Sequence, residues 1–342
     1  MAETPATRFS AATAEESLLD ALQLDERLKS SSSPFIVRGV AKDWPLVRSG
    51  VEEGGAGARA YLLRHARNRQ FEVNVGQPGE GGRLFYDEQM GMNFRMGRAS
   101  LPDIFAGIDA NCNKPDAPVI YLSSLNIQDH FDGLHEANKV ELFGRETRDS
   151  IWIGTRTHIA AHNDIPNNLA VCAVGHRRFT LFPPEVFADL YLGPLENTPA
   201  GRAVSMVNLS DPDFTRYPQF RRALDQAQVA ELAPGDALFI PSMWYHHVEA
   251  LDSFNVLVNY WWRETPGFLG DPEQALLHAI LAVRDLPDSA RDRWRTLFDH
   301  YVFSGGAGAA AHLPDGRRGI LDPLDSESAG RLRAFLLRSL SR

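Results

Sequence analysis

The stretch His162–Pro184, "HNDIPNNLAVCAVGHRRFTLFPP", decides how this chain is read. It opens on a polar His-Asn-Asp cluster and continues as an apolar run to Val174. Gly175-His176 interrupts that run, and Arg177 and Arg178 lead into a second one that ends at Pro183-Pro184. A glycine at one of two central positions between apolar strands predicts a β-hairpin. Alternate residues of a strand share a face, so His162 and Asp164 are expected to point the same way. One imidazole and one carboxylate on a common face suit a divalent first-row metal. Across a two-residue hairpin loop Val174 and Arg177 are paired neighbours. Counting back by twos from Val174 gives Cys172, Ala170, Asn168, Asp164 and His162. Unless Pro166 introduces a bulge, Arg177 is therefore expected on the face of His162 and Asp164, with Arg178 on the opposite one. A buried guanidinium needs an anion. A carboxylate would supply one bidentately, whether from a bound anion or from an internal Arg–Asp or Arg–Glu pair.

A lone His-x-Asp is a weak signal. It gains force from "PSMWYHHVEA" (Pro241–Ala250), which offers His246 as a third ligand. Two histidines and one carboxylate leave coordination positions open, an arrangement that serves oxygen-activating iron. His247 is expected to face away and pack in the shell, and His176 to lie exposed in the turn.

Outward from this stretch, Ile151–Trp262 reads as short strands and turns, including "APGDALFIP" (Ala233–Pro241) and "SFNVLVNYWW" (Ser253–Trp262). That spacing suggests a sandwich or small barrel. Upstream, "PFIVRGV" (Pro34–Val40) reads as a buried strand, and "QFEVNVG" and "APVIYLSSLNI" (Ala117–Ile127) as further strands. "GVEEGGAGARAYLLRHA" (Gly50–Ala66) reads as a loop leading into a short helix. Residues 1–33 are expected to be an N-terminal helix, Thr13–Leu28, and a linker. After Trp262 the apolar period changes from 2 to 3.6. Residues 263–342 then form a helical region, with Asp271 capping one helix and a glycine-rich connection before the last. Trp294, Leu297, Phe298, Tyr301 and Val302 form one apolar stripe, and Leu332, Phe335, Leu336 and Leu340 another. These helices are too few for a core of their own and are expected to pack on the β body or on a second subunit.

The 342 residues are 44% hydrophobic and 23% charged, with a net charge of −9. This is the profile of a globular protein, and the acidic balance argues against nonspecific binding to nucleic acid or anionic membrane. Cys112 and Cys172 cannot build a disulfide framework and fit a reducing cytoplasm. The N-terminal segment lacks the pattern of a signal peptide, and no apolar run reaches membrane-spanning length.

The pieces "AHND", "GHRRFTLFPP", "LYLGPL", "DPDFTRYPQF", "PGDALFIPSMWYHHVEAL" and "VNYWW", with the entry "PFIVRGVAKDWPLV", resemble the cupin-like JmjC oxygenases. The likeness is to the group around the asparaginyl hydroxylase of hypoxia-inducible factor and the tRNA wybutosine hydroxylase. It spans roughly residues 30–262, with a domain expected over 34–262, and the whole chain is similar to a bacterial cupin-like branch. The resemblance implies a mainly β fold, a double-stranded β-helix or jelly roll, with N-terminal α/β elements and a C-terminal helical region. It implies Fe(II) held by His162, Asp164 and His246, and 2-oxoglutarate as cosubstrate. Arg177 stands where the family places a lysine for the far carboxylate. Tyr121 matches a residue that reaches the same carboxylate, and Asn168 and Asn259 match residues at its metal-bound end. Ile159 replaces a family threonine. The implied activity is hydroxylation of an unidentified substrate: a protein side chain, an amino acid or another small molecule, with nucleic acid less expected. A homodimer through the C-terminal helices is also implied. Two other readings stay open: a cupin metalloenzyme that does not use 2-oxoglutarate, and a non-catalytic binding protein.

Overall fold

The computed structural model describes residues 11–17, 20–111, 114, 116–304, 308–314 and 316–341. Cys112 lies outside them. The chain forms two compact units, one up to Trp262 and one from Arg263.

The first unit is a jelly roll of two sheets facing each other. Its strands are β1 (Ala11–Ala12), β2 (Ala14–Glu16), β3 (Phe35–Val37), β4 (Gln70–Gly76), β5 (Arg83–Leu84), β6 (Phe94–Ser100), β7 (Ile120–Asn126), β8 (Arg148–Gly154), β9 (Thr157–Asn163), β10 (Asn167–Val174), β11 (Arg177–Phe182), β12 (Gln228–Leu232), β13 (Ala237–Ile240), β14 (Tyr245–Ala250) and β15 (Asn255–Trp262). The smaller sheet has the order β1-β12-β11-β14-β9-β5, and the larger β2-β3-β13-β10-β15-β8-β7-β4-β6.

The hairpin expected at Gly175-His176 does not form. β10 pairs with β13 and β15 in the larger sheet, and β11 pairs with β12 and β14 in the smaller. The chain crosses from one sheet to the other at this point. The composition of the strands gives the reason. "LAVCAV" and "RRFTLF" are buried along their whole length, and strands buried on both faces read as continuous apolar runs rather than alternating ones. Leu169, Val171 and Ala173 of β10 join the cluster beneath the helical layer, while Ala170 and Cys172 join the core between the sheets with Phe179, Leu181, Leu232, Leu238, Val248 and Leu257. Gly175 serves the corner. Its φ is 75°, and a Cβ there would lie 2.4 Å from Asn255 Oδ1 and 2.9 Å from the Phe254 carbonyl oxygen. Gly175→Ala should therefore cost about 2–4 kcal/mol, from strain plus the clash. Chemical unfolding measures it, and a cost within experimental error would show that the corner relaxes freely.

Two upstream segments also differ from their sequence reading. Ala14–Glu16 is a strand beside β3, and the helix begins later, as Ala21–Ser30, where the Asp20 carboxylate accepts the N–H groups of Leu22 and Gln23. β1 pairs with β12, so this one segment borders both sheets. The stretch read as a loop is helical: Pro45–His65 is one run bent at Gly54, with φ 68°. Leu46, Val47, Ala58, Tyr61 and Leu62 bury one face in the cluster under the larger sheet, and that burial overrides the weak helix propensity of four glycines. Residues between Pro184 and Asp225 cover the outer face of the smaller sheet through Val186, Leu190, Phe220 and Leu224.

The second unit contains the helices Pro272–Ala282, Asp288–Phe298 and Ser326–Leu340. Asp271 and Asp325 cap the first and last. Among its described residues the buried hydrophobics are alanines alone, Ala309, Ala310 and Ala329, while Leu281, Trp294, Tyr301, Phe303, Phe335 and Leu337 are exposed.

Candidate active site

β9 and β14 are antiparallel neighbours, and His162 lies directly opposite His246. Asp164 follows β9 by one residue. Ligand atoms of His162, Asp164 and His246 all lie within 4.8 Å of one another, and His246 Nε2 is 3.7 Å from Asp164 Oδ2. The two imidazole centroids are 4.4 Å apart. Each ring is held by a carbonyl: His162 Nδ1–H donates to Ala160 O at 2.9 Å and His246 Nδ1–H to Trp244 O at 3.2 Å. A carbonyl can only accept, so both protons sit on Nδ1 and both Nε2 lone pairs are free for a cation. Burial first, then the neighbouring His162, pushes the His246 pKa down to about 4, which keeps the ring neutral and able to ligate. These donors fit one first-row divalent ion.

A backbone device holds the cluster. Met243 sits in the left-handed region at φ 69°, and its N–H donates to Asp164 O at 2.8 Å. Ser242 N–H donates to Asn167 Oδ1 at 2.9 Å. The loop entering β14 is thus tied to the loop carrying Asp164, and a strained residue at a ligand loop is common at functional sites. The register slips between His246 and Val248, so that Ile159 and His162 both face inward although three residues separate them.

Arg177 is 3% exposed. Its ionisable neighbours are the Cys172 thiol and the Tyr121 hydroxyl, and burial pushes its pKa down. Among the described residues no carboxylate pairs with it, and its Nε has no hydrogen-bond partner. Burial raises the Tyr121 and Cys172 pKa values to about 12, so both groups are neutral. Arg178 points the other way, donating to Glu231 Oε1 from Nε at 3.0 Å and from Nη2 at 2.8 Å. Arg177 therefore faces inward as expected, but for a different reason. The parity count runs through Pro166 and across two sheet changes, so it carries no weight; inward orientation follows from alternation within β11 itself. His176 is exposed and pairs with Asp252, while His247 is buried on the far face, 6.2 Å from His158 between ring centroids.

The wall opposite is the inner face of the larger sheet. Asn259 Nδ2 donates to Asn168 Oδ1 at 2.7 Å, and Asn259 Oδ1 remains unpartnered. Sequence reading missed three neighbours. Ser150 pairs with Asn259, Trp152 with Leu257, and Trp261 with both Asn168 and Arg148, which puts all three on this face. Trp152 lies 5.9 Å from Tyr121 and 6.0 Å from Trp261 between centroids. Ser150 Oγ, Trp152 Nε1 and Trp261 Nε1 are buried without partners. The alternation of "SIWIG" is visible in the sequence, but which face turns inward depends on the β8–β15 register. Ile159 packs against Leu84, Val119 and Tyr121, so that part of the interior is apolar.

Comparison with known proteins identifies relatives over part of the chain. HSPB1-associated protein 1 from Homo sapiens is 35% identical over 143 residues, 40% of this chain and 28% of that protein. Lysine-specific demethylase JMJ31 from Arabidopsis thaliana is 35% identical over 115 residues, 33% of this chain and 20% of that protein. tRNA wybutosine-synthesizing protein 5 from Mus musculus is 30% identical over 146 residues, 38% and 43% of the two chains. The chain thus matches less than half the length of each of these relatives. The profile of the cupin-like domain matches residues 21–268, β3 to β15 and all three clustered ligands included, and it places the chain in the cupin-like domain family.

Proposed function

We propose that this protein is an Fe(II)- and 2-oxoglutarate-dependent oxygenase that hydroxylates its substrate. The observation that carries the reading is Arg177: a guanidinium buried at the closed end of the interior without a carboxylate of its own, beside the neutral Tyr121 hydroxyl. A buried unpaired cation is costly, and a bound dicarboxylate offsets that cost. The His162–Asp164–His246 cluster lies in the same interior, between the same two sheets. Ferrous iron, when bound, activates O₂ while 2-oxoglutarate is decarboxylated to succinate and CO₂. The chain's own residues do the rest. His162, Asp164 and His246 hold the metal; Arg177 and Tyr121 hold the far carboxylate; Asn168 and Asn259 orient the near end by hydrogen bonds. Leu181, Val248, Leu257 and Ile159 keep the interior dry. The relatives' names, a lysine-specific demethylase and a tRNA wybutosine-synthesizing protein, support an enzymatic role and leave the substrate of this chain open.

Succinate release that needs Fe(II), O₂ and 2-oxoglutarate together tests the reading. Metal-dependent O₂ uptake without succinate would favour a cupin enzyme that does not use the acid. Failure to bind either ligand would favour a binding protein. No described helix is long and apolar enough to cross a membrane. With only two cysteines, a reducing cytoplasm is the setting we propose.

The same proposal includes a homodimer. Large apolar residues of the C-terminal unit are exposed on all three of its helices, and exposed apolar surface of this extent marks interfaces. Leu336→Arg should convert the dimer to a monomer, because a charge buried in such an interface would be unpaired. Light scattering decides it: a wild-type mass of one chain at tens of micromolar would exclude the dimer.

A further inference from the structure

The inner face of the larger sheet is a ladder of rungs. From the closed end, Cys172, Leu257 and Trp152 form one rung, Ala170, Asn259 and Ser150 the next, and Asn168, Trp261 and Arg148 the last. Four residues of strand separate Cys172 from Asn168, about 13 Å at 3.3 Å per residue. Arg177 pairs with Leu232, whose carbonyl oxygen lies 4.0 Å from Cys172 Sγ, and so belongs to the first rung. The Ser242 N–H is bound to Asn167, the neighbour of Asn168, and the Met243 N–H to the Asp164 carbonyl, so the loops that carry the metal cluster adjoin the last rung. The interior has a cation at each end: Arg177, which is buried, and Arg148, which is exposed at the open end.

Arg148 has no ion-pair partner among the described residues. Its guanidinium lies over the Trp261 ring, 5.8 Å from the centroid, which presents a planar cation on a fixed shelf. Beside it are two donors without acceptors, the Trp261 indole N–H and the Ser150 hydroxyl, the latter on a residue with no exposed surface. One full positive charge and two neutral donors match a carboxylate; a phosphate dianion calls for more cationic partners. In a chain of net charge −9, an unpaired cation at the mouth of the interior also sets which ligands approach favourably.

We propose that Arg148, shelved on Trp261 and assisted by Ser150, is a specificity residue that selects substrates carrying a carboxylate close to the carbon that is oxidised. This rests on the oxygenase reading above. The carboxylate belongs either to a free amino or organic acid or to an aspartate or glutamate side chain in a peptide.

Matched pairs test it: free aspartate and glutamate against asparagine and glutamine, N-acetylated peptide amides bearing Asp or Glu against the same peptides bearing Asn or Gln, and a phosphoserine peptide. Binding to the metal-loaded protein is read by calorimetry, with and without 2-oxoglutarate, and succinate release is read separately. Wild-type protein should favour the acid over its amide by at least about tenfold in one of the two series, which identifies the source. Arg148→Met should bring that ratio to about one, and Arg148→Lys should keep part of it. Because Arg148 is exposed, both variants should fold, which circular dichroism checks. Equal binding of acid and amide by wild type, retention of the ratio in Arg148→Met, preference for the phosphopeptide, or binding of no probe would each overturn the inference. Loss of 2-oxoglutarate binding alone would overturn the oxygenase reading, while the acid-over-amide ratio in its absence still decides the role of Arg148.

Discussion

Asp164→Ala should lose its metal and, with it, all detectable turnover. Removing a group that merely supports a metal ligand costs about 10–100-fold in affinity, so removal of a ligand itself should exceed about a hundredfold. Among the described residues no other carboxylate joins His162 and His246 in a group that could hold a metal. Stability should change little, since Asp164 is half-buried and follows the end of β9. Metal content after dialysis, unfolding curves and succinate release together check this. A variant that retains one iron per chain with wild-type turnover would remove Asp164 from the ligand set.

Arg177→Met should act in two opposite directions. Without cosubstrate the variant should be as stable as wild type or more so, by about 1–4 kcal/mol, because an apolar side chain of similar volume replaces a buried charge that has no carboxylate partner. With 2-oxoglutarate the order reverses. Two charge-assisted hydrogen bonds of about 1.5–3 kcal/mol each correspond to more than about a hundredfold in affinity. At a ligand concentration about 100 times the wild-type Kd, wild type gains about 2.7 kcal/mol that the variant does not. Thermal unfolding with and without 2-oxoglutarate measures both effects, and calorimetry should show metal binding unchanged. Equal stabilisation of both proteins by the acid would mean that Arg177 does not anchor it, and would strengthen the reading as a cupin enzyme of another kind.

The residues of the candidate site were largely legible from local pattern. His162, Asp164 and His246 declare themselves by residue type, and Arg177 by a charge set in apolar sequence. Ser150, Trp152 and Trp261 were not legible, because hydroxyls and indoles on strands are ordinary core and become site residues only when β8 and β15 fix which face is inward. The helix Pro45–His65 was hidden by its glycines, and the strand Ala14–Glu16 by helix-forming residues whose pairing partner lies about twenty positions away.

By itself the sequence determined that this is a strand-rich chain with a His-x-Asp pair, a distant third histidine and one misplaced-looking arginine, since composition and period-2 alternation are local properties. Only the tertiary structure decided that β10 and β11 belong to different sheets. Both strands are buried on both faces, so local pattern does not say which strands they pair with, and the choice between a hairpin and a sheet crossing falls to long-range packing. The Gly175 corner accepts the crossing because no Cβ meets Asn255 and Phe254. The same crossing puts Arg177 on one sheet and Tyr121 and Cys172 on the other, so the candidate acid pocket exists only once the two sheets close on each other.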